Sequence, residues 1–253
     1  MDKEYFGVIH LLNSEDKTAF DTNHTLKGVA ANYSDIINVL FKLPYFKGEL
    51  EIVDTPIGDF QSFCYDSYIQ APHTFWVIYD LYQKGYYIEA TTLYRQLLEV
   101  FVQLKYFHKY PEKTNEHLMG KYKTFKTMFT EFTSADFYDR QYGKTLSSFA
   151  HGKLANYILR YEKDSDKNKW TVVMGCKFNI DHATYVINQV IPLLFGYLNL
   201  FTTFFPKNIL DEDKLIYQEY LKVLDWLKLY MKSHQEQNPD SIKYYEEINK
   251  LIY

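Results

Sequence analysis

Arginine is nearly missing from this chain. Of its 28 basic residues 25 are lysine, and only Arg95, Arg140 and Arg160 carry a guanidinium. A sequence that uses lysine by default singles out each arginine, because a planar, permanently charged fork does what an ammonium cannot. Cysteine is also scarce: Cys64 and Cys176 are too few for a disulfide-stapled scaffold or a four-thiolate zinc site. Ten glycines and seven prolines in 253 residues are too few turn-formers for a chain of many short strands. A formal charge of -4 argues against a strongly basic nucleic-acid coat. Also missing are the GxxxxGKS/T phosphate loop, GxGxxG, HExxH and GxSxG, so most familiar enzyme classes lose their support. No cofactor and no metal-ligand set is expected.

What is present is apolar and aromatic surface: 47% hydrophobic residues, with 25 Tyr and 19 Phe. That composition excludes a disordered chain and suits one substantial core. Its periodicity is helical. From Leu26 to Leu43, the residues Ala30, Tyr33, Ile36, Ile37, Leu40 and Phe41 recur at three- and four-residue spacing until Pro44 stops them. Lys47–Asp59 reads as a loop, with a candidate strand ELEIVD, before a helix capped by Asp59 and ended by Gly85. Pro72 is expected to kink or split that helix. Tyr86–Tyr110 is the best helix: Ala90, Leu93, Leu97, Val100, Leu104 and Phe107 form a stripe widened by Leu98, Phe101 and Val102, as a central helix requires.

Pro111 ends it. One helix is expected over Glu112–Phe132, and a long one from Ser134 through His151 to Arg160. A polar, β-prone stretch containing WTVVMGCKF follows. Three further helices are expected, over about Asp181–Phe205, over LDEDKLIYQEYLKVLDWLKLYMKSH and from Asp240 onward. The fold class is all-α: a single helical-bundle domain with its core at about 20–163 and 180–253, a loop or hairpin at 164–179, and the β-prone insertion near 168–178.

The N-terminus begins with acids and does not read as a secretory signal. Between His182 and Lys207 no charge appears, but Asn188, Gln189, Asn199, Thr202, Thr203 and Pro192 interrupt the run, and its N-terminal side lacks a basic flank. A buried central helix fits better than a membrane span. Stable membrane insertion is not expected, and the localisation read is cytoplasmic.

Two polar constellations stand in apolar surroundings. Arg95 and Glu99, four apart, share a helical face and can pair. Ser147 and His151 are again four apart, with Lys144 one further turn back. Histidine is the side chain best suited to change protonation near neutral pH. Each constellation has a structural reading, as a tie between helices, beside the catalytic one. A third feature is electrostatic. Lys105, Lys109, Lys113, Lys121, Lys123 and Lys126 face only Glu112 and Glu116 over their stretch, interleaved with Tyr106, Phe107, Tyr110, Tyr122 and Phe125. A phosphate-tracking surface and a solvated lysine face both fit.

The strings EATTLYRQLLEVFVQLKYFHKY, YKTFK and YGKTLSSFAHGK resemble an uncharacterised bacterial helical family with an Arg-x-x-x-Glu helix and a later Ser-x-x-x-His segment, over about Ile88–Lys153. That family is in turn similar to the higher-eukaryote and prokaryote nucleotide-binding (HEPN) superfamily, many of whose members are metal-independent ribonucleases of phage defence and toxin–antitoxin systems. The resemblance implies a defence or toxin-type effector acting on RNA as a homodimer, with an antitoxin or defence-system partner. It implies Arg95, Glu99, Ser147 and His151 as catalytic residues. Lys105, Lys109, Lys121, Lys123, Lys126 and Lys144 would bind nucleic acid. The usual HEPN signature, Arg followed within four to six residues by His, is not found here. The alternative is a non-catalytic helical module binding a nucleotide, a nucleic acid or a protein.

Overall fold

A computed structural model describes residues 8–43, 56–121, 124–150, 161–164, 169–172, 176–204, 214–237 and 242–252. Among them the elements are α1 (Val8–Thr25), α2 (Lys27–Lys42), α3 (Pro56–Gln83), α4 (Tyr87–Lys109), α5 (Lys113–Leu118), α6 (Phe125–Thr130) and α7 (Ala135–Phe137). Then come a π-helix (Tyr138–Leu146), α8 (Ser147–Ala150), strands β1 (Tyr161–Asp164) and β2 (Lys169–Val172), α9 (Ile180–Phe204), α10 (Lys214–Gln237) and α11 (Ile242–Ile252). The fold is all-α. β1 and β2 form an antiparallel hairpin, Tyr161 opposite Val172, that starts some residues before the expected insertion.

α4 lies at the centre, packed by α3, α9, α6, the π-helix and α8, while α9 also carries α10 and α11. Such a helix must be apolar nearly all round, and α4 buries Ala90, Tyr94, Leu97, Leu98, Phe101, Val102, Leu104 and Phe107. Leu93 and Val100, members of the expected stripe, are only half-buried. The core is keyed by tyrosine hydroxyls that reach backbone carbonyls of neighbouring helices. Tyr33 donates to Phe75 O at 3.1 Å, Tyr68 to Tyr197 O at 2.7 Å and Tyr197 to Leu97 O at 3.0 Å. α9 is long and apolar enough to cross a membrane, but 72% of its apolar window is buried in the bundle.

Several expectations are corrected. α1 was not legible as a helix. α3 begins at Pro56 rather than at a cap on Asp59, and a proline is favoured in a first turn, where its missing N–H has no intrahelical acceptor. The same helix runs on through Pro72 without splitting. The Glu112–Phe132 helix is two short ones, α5 and α6, separated at Gly120, whose φ of 77° is left-handed. The candidate strand ELEIVD lies outside the described residues. The expected long helix from Ser134 is α-helical for one turn, then π-helical for nine residues, then α-helical again. The Ser134 side chain accepts the Phe137 N–H as its N-cap.

A candidate site where the π-helix meets the central helix

Arg95 and Glu99 pair as their spacing requires, with Arg95 Nε 3.0 Å from Glu99 Oε1. The partner that sequence spacing did not supply is Tyr142, from the middle of the π-helix. Its hydroxyl accepts from Arg95 Nε at 3.2 Å and Nη2 at 2.9 Å, and donates to Glu99 Oε1. The guanidinium carbon lies 4.7 Å from the Tyr142 ring centroid, so the ring also offers its face to the cation. Phe125 of α6 packs at 4.5 Å and Tyr138 stacks at 5.3 Å on the same ring. Arg95 and Glu99 keep 19% and 33% of their side-chain surface exposed, so the cluster opens on solvent rather than being sealed in the core.

Charge and burial fix what each group does. Burial pushes the Tyr142 phenol up, as does its bond to Glu99, and Arg95 only partly offsets them. Tyr142 is therefore a hydrogen-bond donor near neutral pH and not a base. For Arg95, burial pulls the guanidinium down, but Tyr142 and Glu99 outweigh it and hold the cation more firmly. Among the described residues Nη1 of Arg95 makes no hydrogen bond, which leaves donors for an anion.

The π-helix is the reason Tyr142 arrives here. Its backbone i→i+5 bonds widen the turn relative to an α-helix. Runs of this kind are rare and are frequent at functional sites. They also undo α-helical spacing: Lys144 lies inside the π-helix, so its seven-residue separation from His151 no longer means a shared face. Ser147 starts α8, which packs on α4. His151, Lys123 and Arg160 lie outside the described residues. Arg140 is an exposed surface partner of Asp136 at 2.7 Å.

Of the lysine ridge, Lys105, Lys109 and Lys126 have partners within the protein. Lys105 turns inward, with Nζ donating to Leu251 O at 2.7 Å and lying 4.9 Å from the Phe132 ring. Lys109 pairs with Glu131 at 2.6 Å and Lys126 with Asp139 at 2.8 Å. Lys121 and Lys144 are exposed. Elsewhere, α2 and α10 line a groove of about 510 Å³ with Ile36, Val39, Val223 and Trp226 among its lining residues. No group of histidine, cysteine or carboxylate side chains able to hold a metal occurs among the described residues. No family model, no curated protein and no solved structure matches this chain.

Proposed function

We propose that the chain is an RNA-directed effector of a bacterial defence or toxin type. Arg95, Glu99 and Tyr142 form the phosphate-facing half of a metal-independent ribonuclease site, and Ser147 and His151 the other half. One observation carries this reading. The helix turn that opens the Ser147–His151 segment packs on α4, the helix whose Arg95 is oriented by Glu99 and Tyr142 and keeps Nη1 unbonded among the described residues. In this reading His151 accepts the proton of a ribose 2′-OH as its oxygen attacks the adjacent phosphorus. A P–O2′ bond forms as the P–O5′ bond breaks, the departing O5′ takes a proton from water, and the His151 imidazolium returns its proton to solvent, so that the products are a 2′,3′-cyclic phosphate and a 5′-hydroxyl. Arg95 stabilises the charge that develops on the phosphorane, Glu99 and Tyr142 hold Arg95, and Ser147 binds a phosphate oxygen. The test is incubation of purified protein with total RNA and with tRNA in a metal chelator, beside His151→Ala. Cleavage by the wild type, slowed about 10²–10⁴-fold in the variant, is expected for loss of a general base. Equal cleavage by both, or none by either, overturns the reading.

A second reading, a non-catalytic helical module, is favoured by one observation. Lys105, Lys109 and Lys126 are each bound to groups of the protein itself, so that among the described residues of this stretch they do not form a run of unpaired lysines for a nucleic-acid strand. In that case the Arg95 cluster fixes the register of the π-helix on α4. Arg95→Ala and His151→Ala then both lower the melting temperature steeply. Near-normal melting in His151→Ala with lost phage protection supports the catalytic reading instead.

A further inference from the structure

α11 touches both arms that carry the Arg95 cluster, α4 and the segment leading into the π-helix. Its C-terminal end is held by α4, through the Lys105 ammonium on Leu251 O at 2.7 Å and Lys250 O at 3.4 Å. A cation there complements the helix dipole and satisfies carbonyls that have no intrahelical donor. One turn earlier, Glu247 reaches the start of the site's second arm: its Oε2 accepts the Ser134 backbone N–H at 2.9 Å. Glu247 is 9% exposed at the side chain, and Lys250, with Nζ 2.7 Å from Oε1, neutralises it. Ser134 is the N-cap of α7, and α7 runs straight into the π-helix that delivers Tyr142. Tyr244 packs 5.8 Å from Phe137 of α7 and donates to Gln189 of α9 at 2.8 Å, so the same face of α11 ties α7 to α9.

We infer that Glu247 is a positioning residue for the Arg95–Glu99–Tyr142 cluster, and that α11 is a strap that holds the π-helix in register on α4. The inference deepens the proposed function, on which the importance of the cluster rests. The geometry it concerns is measurable without any RNA. A buried carboxylate that accepts a backbone N–H at a helix start is a strong, directional restraint, because a charged acceptor makes a stronger bond than a neutral one. Lys250 and the Ser134 N–H together hold the Glu247 carboxyl below the usual carboxylate range, so it stays ionised in this role.

The scarcity of arginine makes the test simple. In ¹⁵N-labelled protein only three Arg Nε–Hε signals exist, and Arg95→Lys assigns the one from Arg95. In the wild type, Hε of Arg95 is shared by Glu99 and Tyr142. Glu247→Ala is expected to move this signal toward its position in Tyr142→Phe and to raise its solvent exchange about tenfold, as for one weakened hydrogen bond. Glu247→Asp, which keeps the charge but shortens the reach, is expected to move it in the same direction by less and guards against a failure of the alanine variant to fold. Glu247→Gln, whose amide oxygen still accepts the Ser134 N–H, is expected to leave it near the wild-type position. Ile248→Ala removes a buried neighbour on the same helix that makes no such bond, and is expected to lower stability without moving the signal. An unmoved signal in both Glu247→Ala and Glu247→Asp overturns the inference. So does an equal movement in Ile248→Ala, which makes the effect one of general loosening. Loss or absence of RNA cleavage bears on the proposed function alone, because the signal is read on the free protein.

Discussion

At the scale of single residues, Tyr142 is the side chain on which the site's geometry turns. Its phenol is the common partner of Arg95 and Glu99, so Tyr142→Phe removes a bond to each of two charged groups while leaving the ring packed on Phe125 and Tyr138. A loss of about 2 kcal/mol in denaturant unfolding is expected, the range for hydrogen bonds to charged groups. Lys105 gives a second prediction. Burial lowers its ammonium to about 8, against roughly 10.4 for lysine in an unfolded chain. Between those values the native state binds fewer protons, so the contribution of this group to stability rises with pH from about 8 to about 10.4. Lys105→Met deletes that dependence. The melting temperature of the wild type minus that of the variant should climb between pH 8 and pH 10, and a flat difference refutes the assignment. Pairing four residues apart made Arg95–Glu99 legible in the sequence. Tyr142 was not, because a bond across 47 residues leaves no local spacing. The partners of the ridge lysines were illegible for the same reason: the Glu131, Asp139 and Leu251 groups that hold them are remote in the chain or lie on other elements.

At the scale of elements, two glycines set how closely the helices approach. A side-chain carbon on Gly196 of α9 would lie 2.7 Å from Phe101 Cζ of α4, in the middle of the core. Gly196→Ala should therefore force α4 and α9 apart, costing about 1–3 kcal/mol as other overpacked cores do, and calorimetry checks it. Gly85 ends α3 with φ near +84°, and a side-chain carbon there would lie 3.0 Å from Lys177 O. α2, α4 and α9 were legible because their apolar period is long and their ends carry Pro or Gly signals. α5 and α6 were merged because six-residue helices are too short for a period to register a break. The π-helix was read as α-helix because an i→i+5 ladder has no separate hydrophobic signature, and its polar stretch DRQYGK buries only Tyr142.

At the scale of the whole molecule, the bundle combines an aromatic core with few buried hydroxyls left unbonded among the described residues. Tyr197 and Tyr82 are both buried, but the Tyr197 hydroxyl donates to Leu97 O, and that of Tyr82 has no hydrogen-bond partner among the described residues. Tyr197→Phe should cost about 1 kcal/mol. Tyr82→Phe should cost nothing or stabilise, since it removes a buried polar atom that nothing satisfies. Urea unfolding of the two variants separates these outcomes.

The same bundle packs the helix of Arg95 against the turn of Ser147, 52 positions further along the chain, and the functional account depends on that meeting. The most direct measurement is metal-free RNA cleavage by Arg95→Lys, which keeps the charge but loses the fork that Glu99 and Tyr142 orient. The account predicts a folded variant with a cooperative melting transition and cleavage reduced about 10²–10³-fold, as for a lost transition-state donor. Cleavage at the wild-type rate by Arg95→Lys, or no cleavage by the wild type itself, would contradict it.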